Sequence, residues 1–198
     1  MNLPNKLTMM RMILIPFMMF FYLASFIPNG IGKIVALVIF VVAALTDLLD
    51  GKIARKYNMV TNFGKFLDPI ADKLLTSAVF FLIIADGTIP APWGVIMVTI
   101  IIAREFMVSA LRLLAANKGV VLAADIWGKA KTMVQMIALP VCMVYSFFLT
   151  CGLNIPVLVV EIFAYASYIS LGLATVLTVV SGVNYLVKNN DCLKEKND

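Results

Sequence analysis

The 198-residue chain is 62% hydrophobic and only 14% charged, too apolar for a soluble domain and suited to a membrane protein that crosses the bilayer several times. It has no histidine, which excludes His-ligated zinc and a histidine general base. Its three cysteines, Cys142, Cys151 and Cys192, show neither metal-like spacing nor an even-numbered disulfide framework; its net charge is +5, whose placement says more than its size, and no nucleic-acid partner is expected.

Taken in order, residues 1–11 (MNLPNKLTMMR) mix apolar and basic side chains. They predict a short N-terminal interfacial helix with Lys6 and Arg11 at the lipid headgroups. Pro4 and Asn5 mark a turn, and Thr8 is placed to cap the helix after it. An apolar run from Met12 to Ile27 is the first span. Pro28-Asn29-Gly30 reads as a hairpin turn, not as a signal-peptide cleavage site. Five more spans are expected at 33–56, 62–85, 92–117, 126–149 and 155–187, each with the ~20 apolar residues that crossing the hydrocarbon requires. The fold class is therefore all-α and polytopic, with six transmembrane helices in one membrane domain (1–187) and a polar tail (188–198).

The placement of Lys and Arg sets the orientation. The loops near 28–32, 86–91 and 150–155 contain neither. The other side holds Lys6, Arg11, Arg55, Lys56, Lys65, Lys118, Lys188, Lys194 and Lys196. Both termini are thus expected in the cytoplasm, with the 2–3 turn on the same side.

The chemistry is concentrated between Asp47 and Asp72, DLLDGKIARKYNMVTNFGKFLDPIAD, which holds four of the eleven acids. Asp47 and Asp50 are three apart on one predicted helix. Gly64, Asp68 and Asp72 recur every four residues and form one stripe on the next. Carboxylates gathered in apolar helices repel one another and lose hydration, so they need a counter-charge, and divalent cations with oxygen ligands supply it. Two cations about 3.5–4 Å apart are a common device for displacement at phosphorus. Gly51 and Gly64 allow a ligand close to the backbone, and Arg55 offers a charged fork for a phosphate oxygen.

This stretch resembles the signature of the CDP-alcohol phosphotransferase family, D-x-x-D-G-x-x-A-R, eight residues, then G-x-x-x-D-x-x-x-D. Asp47, Asp50, Gly51, Ala54, Arg55, Gly64, Asp68 and Asp72 match all of its fixed positions. The resemblance implies a two-metal site for Mg²⁺ or Mn²⁺ held by Asp47, Asp50, Asp68 and Asp72, with Asp72 as general base. It also implies a CDP-lipid site at Gly51, Ala54, Arg55, Thr61 and Gly64. The segments LPNKLTMMR, IIAREFMVSALR and WGKAKTMVQ are similar to those of the family's bacterial phosphatidylglycerophosphate synthases. That likeness implies CDP-diacylglycerol as donor, glycerol 3-phosphate as acceptor, and a homodimer among the lipids of a bacterial plasma membrane, with its site facing the cytosol. Arg104, Arg112, Lys129 and Lys131 are then the candidates for the acceptor's phosphate. Inositol phosphate would use the same cations and is the nearest alternative. A cation transporter is more distant, because transport predicts acids spread through the depth of the bilayer.

The topology is open to test by cysteine labelling in a background without the three native cysteines. Single cysteines near Gly30, Gly87 and Gly152 are expected to react from outside intact cells, and ones near Asn58 and Asn189 are not. External labelling near Asn58 would reverse the orientation.

Overall fold

A computed structural model describes the backbone of residues 3–56, 62–117 and 126–188, and the side chains of all of these except 3–4, 29, 48–56, 62–66 and 117. The described residues form six α-helices and no strand: α1 (Leu3–Leu23), α2 (Ile31–Lys56), α3 (Asn62–Ala85), α4 (Trp93–Asn117), α5 (Ile126–Thr150) and α6 (Val157–Lys188), with a 3-10 turn at Pro28–Gly30. Asn5–Leu23, Trp93–Ala116, Ile126–Thr150 and Val157–Lys188 are long and apolar enough to cross a membrane. Large apolar side chains are exposed on their outer faces, among them Phe17, Phe20, Leu113, Ile137, Ile169 and Val176. An apolar exterior of this kind suits lipid, not water.

The expected interfacial helix does not stand apart from the first span. α1 runs unbroken from Leu3 to Leu23. Pro4 falls in its first turn, where a missing N–H breaks no helical hydrogen bond, so it starts the helix instead of ending one. Arg11 is not at the headgroups either, because its side chain is fully buried. The polar tail and the loops at 57–61 and 118–125 lie outside the described residues.

The chain divides into two compact units, one of Met1–Ile89 with Leu139–Ala166 and one of Pro90–Ala138 with Ser167–Asp198. In the first, α1 packs against both α2 and α3. Its buried residues are Asn5, Thr8, Arg11, Ile15, Met18 and Tyr22, steps of three and four that make one continuous face. On α2 the opposing face is Ala36, Phe40 and Ala43, and on α3 the buried residues include Leu75, Val79, Leu82 and Ile83. The start of α2 comes against the end of α1 backbone to backbone. A Cβ on Gly32 would lie 2.3 Å from the Phe21 carbonyl oxygen, so no larger residue fits there.

The second unit is built from α4, the first half of α5 and most of α6. Val98, Ile101, Val108 and Ala115 are buried on α4, and Leu171, Ala174, Thr178, Ser181 and Tyr185 on α6.

A polar cluster closes the first unit at the end of α3. Asp86 accepts from Lys33 Nζ at 2.9 Å, from the Tyr22 hydroxyl at 2.6 Å, from the Thr88 backbone N–H at 3.0 Å, and from the hydroxyls of Ser146 and Thr88. Lys33 Nζ also reaches Ser146 Oγ at 2.6 Å. One carboxylate thereby joins α1, α2, α5 and the turn after α3. Lys33 lies next to the loop expected to be free of basic residues, and Asp86 answers its charge. Burial pushes the Asp86 carboxyl up, but donation from Ser146, Thr88, Tyr22 and Lys33 outweighs it and holds the group below its usual value.

Asp86→Asn is expected to destabilise the protein by about 3–5 kcal/mol at pH 7, because Lys33 keeps a largely buried charge without its partner. Since Asp86 has a depressed folded-state value, its contribution is present above the ordinary carboxyl value of about 3.9 and is lost as pH falls through the lower folded value. Melting curves in detergent from pH 7 to pH 3 check this: the gap between parent and variant should narrow only below about pH 4. A gap unchanged across the range would show that the Asp86 charge does not contribute.

Candidate active site

The signature stretch lies across α2 and α3. Asp47, Asp50, Gly51, Ala54 and Arg55 belong to the last turns of α2, and Gly64, Asp68 and Asp72 to the first turns of α3. Thr61 and the side chains of Asp50, Gly51, Ala54, Arg55 and Gly64 lie outside the described residues. The predicted bounds of α3, 62–85, coincide with the observed ones.

The described carboxylates are held from α1. Arg11 Nη1 donates to Asp47 Oδ1 at 2.5 Å, and Thr8 Oγ1 donates to Asp68 Oδ1 at 2.7 Å. Thr8 and Arg11 are three apart and both buried, so one face of α1 serves both signature helices. Sequence alone gives neither a site role, placing Arg11 at the headgroups and Thr8 at a helix cap. The available signal is their register with Ile15, Met18 and Tyr22, which puts a hydroxyl and a cation on a face otherwise apolar further along. An ionisable residue in such a place is functional by default.

The Asp47 side chain is 38% exposed although its partner Arg11 is fully enclosed. It can therefore meet a ligand as well as its guanidinium. Each bond uses only Oδ1, and an ionised carboxylate has about four lone-pair sites. Among the described residues no three acidic or cysteine side chains gather closely enough to hold a metal ion, and Asp50 is not among those described. The donor chemistry of Asp47, Asp68 and Asp72 is nevertheless all carboxylate oxygen, the set that hard divalent cations take.

The basic candidates belong to the second unit. Lys131, 1% exposed, is bonded to Glu105 on α4. Arg112 stacks over Tyr185, with its guanidinium carbon 5.7 Å from the ring centroid, and its Nε lies 3.4 Å from the Tyr185 hydroxyl. Arg104 is hemmed in by glycines. A Cβ on Gly182 would stand 3.1 Å from Arg104 Cγ, and one on Gly128 would stand 3.5 Å from Nη2. The Nε of Arg104 is buried without a hydrogen-bond partner, as is Oε1 of Gln135. Lys129 is exposed. Of the four, Arg104 thus presents an unanswered donor, whereas Lys131 already carries a counter-ion.

The sequence model of the CDP-alcohol phosphatidyltransferase family matches residues 1–180. The chain belongs to that family. It is 42% identical over 99% of both chains to the CDP-diacylglycerol–glycerol-3-phosphate 3-phosphatidyltransferase of Bacillus subtilis (strain 168). It is 38% identical to the protein of the same name from Rickettsia bellii (strain RML369-C), over 93% of each chain. A Mycobacterium tuberculosis (strain ATCC 25618 / H37Rv) protein called probable phosphatidylglycerophosphate synthase is 36% identical, over 94% of this chain and 81% of its own. As a CDP-alcohol phosphatidyltransferase, the chain is an enzyme, and its eight-position signature lies within the matched region.

The Glu105–Lys131 pair yields a stability prediction. Glu105→Gln leaves a buried ammonium without its counter-charge and is expected to cost about 3–5 kcal/mol. Replacing both partners, Glu105→Leu with Lys131→Met, should return to within about 1–2 kcal/mol of the parent, since an apolar pair needs no compensation. Chemical denaturation in mixed micelles checks both. A double variant as unstable as the single one would mean that shape, not charge, sets the energy.

Proposed function

We propose that this chain transfers the phosphatidyl group of CDP-diacylglycerol to glycerol 3-phosphate, forming phosphatidylglycerol phosphate and releasing CMP. The observation that carries this is the similarity to proteins of that activity along nearly the whole chain, with every position of the acidic signature filled. The acceptor's hydroxyl oxygen attacks the lipid-side phosphorus of the pyrophosphate, and the bond from that phosphorus to the CMP oxygen breaks. Asp72 takes the hydroxyl proton. An ionised carboxylate can accept that proton as the hydroxyl becomes acidic in the transition state. Arg55 grips a phosphate of the CDP moiety as a planar fork. Gly51, Ala54, Thr61 and Gly64 line the cytidine side.

Asp47, Asp50, Asp68 and Asp72 would hold Mg²⁺ or Mn²⁺, two ions that neutralise the pyrophosphate and the departing CMP when bound. The acceptor's phosphate is assigned to Arg104, Arg112, Lys129 and Lys131. Arg104, with its unpartnered Nε, is the first among them, and Lys131 acts within its pair with Glu105. All six helices span the bilayer in this proposal. Both termini and the signature face the cytosol of a bacterium, where nucleotide and glycerol phosphates are dissolved, and the protein works as a homodimer.

Purified enzyme given CDP-diacylglycerol, Mn²⁺ and a panel of alcohols, scored by CMP release, tests the assignment. Glycerol 3-phosphate should support turnover, and glycerol, serine and inositol should not. Turnover with inositol phosphate alone would overturn the acceptor. In the same assay Asp72→Asn should reduce turnover by about 10²–10⁴-fold, as loss of a general base does, while retaining much of the CDP-lipid affinity that Asp68→Asn loses. Activity of Asp72→Asn within a few-fold of the parent would remove Asp72 as the base.

A further inference from the structure

A second set of residues acts on the signature carboxylates without belonging to the signature. A helical threonine hydroxyl commonly bonds a carbonyl of its own helix, as Thr132 and Thr178 do. That of Thr8 reaches Asp68, sixty residues on and in another helix, at 2.7 Å. Asp68 is exposed, so water could solvate its carboxylate without help, and that oxygen does not itself need the bond. Thr8 itself is 1% exposed, held in the packed face of α1, so its hydroxyl has little freedom to turn away. One turn along the same face, Arg11 makes the corresponding bond to Asp47 on the other signature helix. Both donors take Oδ1, which anchors that oxygen of each carboxylate while leaving lone pairs for another ligand.

We infer that Thr8 is a positioning residue for Asp68, and that the N-terminal part of α1 orients the acidic signature for its divalent cation. This rests on the proposal that Asp68 ligates metal. Groups that hydrogen-bond ligating carboxylates set metal affinity, and their loss typically costs 10–100-fold. A hydroxyl that only packs α1 against α3 would affect melting and leave metal affinity alone.

The test is Mn²⁺ binding to the purified full-length protein, followed by the electron paramagnetic resonance of free Mn²⁺, beside melting temperature and CMP release. Thr8→Val keeps the shape and removes the hydroxyl. Its Mn²⁺ Kd should rise about 10–100-fold, with CMP release recovering as Mn²⁺ is raised to saturation. Thr8→Ser, which restores the hydroxyl, should bind within about three-fold of the parent, well inside the change expected from losing the bond. If Thr8→Val fails to fold, Thr8→Ala is scored by the same comparison with Thr8→Ser. A variant lacking the hydroxyl that binds Mn²⁺ as the parent does, while Asp68→Asn loses it, would overturn the positioning role alone. Parent-like Mn²⁺ binding by Asp68→Asn would instead overturn the metal assignment, and the role of Thr8 with it.

Discussion

The bond between Arg11 and Asp47 expresses the constraint on which the rest of this structure depends. In a chain this apolar, each charge withdrawn from water must meet a partner from another helix. Arg11 is wholly enclosed, and its guanidinium ends on the first carboxylate of the signature. Thr8, one turn earlier, ends on Asp68. Ile15 and Met18 continue the same face as ordinary packing, and Tyr22 ends it on Asp86. α1 thus fixes α2 and α3 at both ends of their shared packing with polar bonds and between those ends with apolar contact.

The charged groups divide by how accessible they remain. Asp86 and Glu105 are nearly enclosed, with side chains 14% and 16% exposed, and each faces a lysine. Those pairs are complete within their own units. Asp47 is 38% exposed, and Asp68 is exposed outright. The same chemistry therefore serves two ends. An enclosed carboxylate joins helices, and one held by a donor but with a face left open can take a ligand. That difference in exposure separates Asp47 and Asp68 from Asp86 and Glu105, and it suits an enzyme whose substrates carry pyrophosphate.

In the second unit, Arg104 has a different kind of preparation. Gly182 and Gly128 clear the space along its side chain, and its Nε has no protein acceptor. A buried donor left unbonded is costly. Lys131, equal to Arg104 as a candidate on sequence grounds, differs because Glu105 already compensates it.

The sequence by itself determined the helices, the family and the acidic signature. Long apolar runs broken by Pro28-Asn29-Gly30 and by polar turns fix helix ends through local chemistry alone, and the observed helices after the first match the predicted ones to within about two residues, inside the usual uncertainty of such boundaries. The signature is likewise local, since its spacing is that of two helical stripes. Only the tertiary structure decided which partner each charge would find. Arg11 with Asp47, Thr8 with Asp68, Lys33 with Asp86 and Lys131 with Glu105 join residues 26 to 60 positions apart. Sequence alone sends Arg11 to the headgroups and Lys131 to a substrate. Helix packing buried both, and a buried cation takes the nearest carboxylate because nothing else replaces the water it has lost.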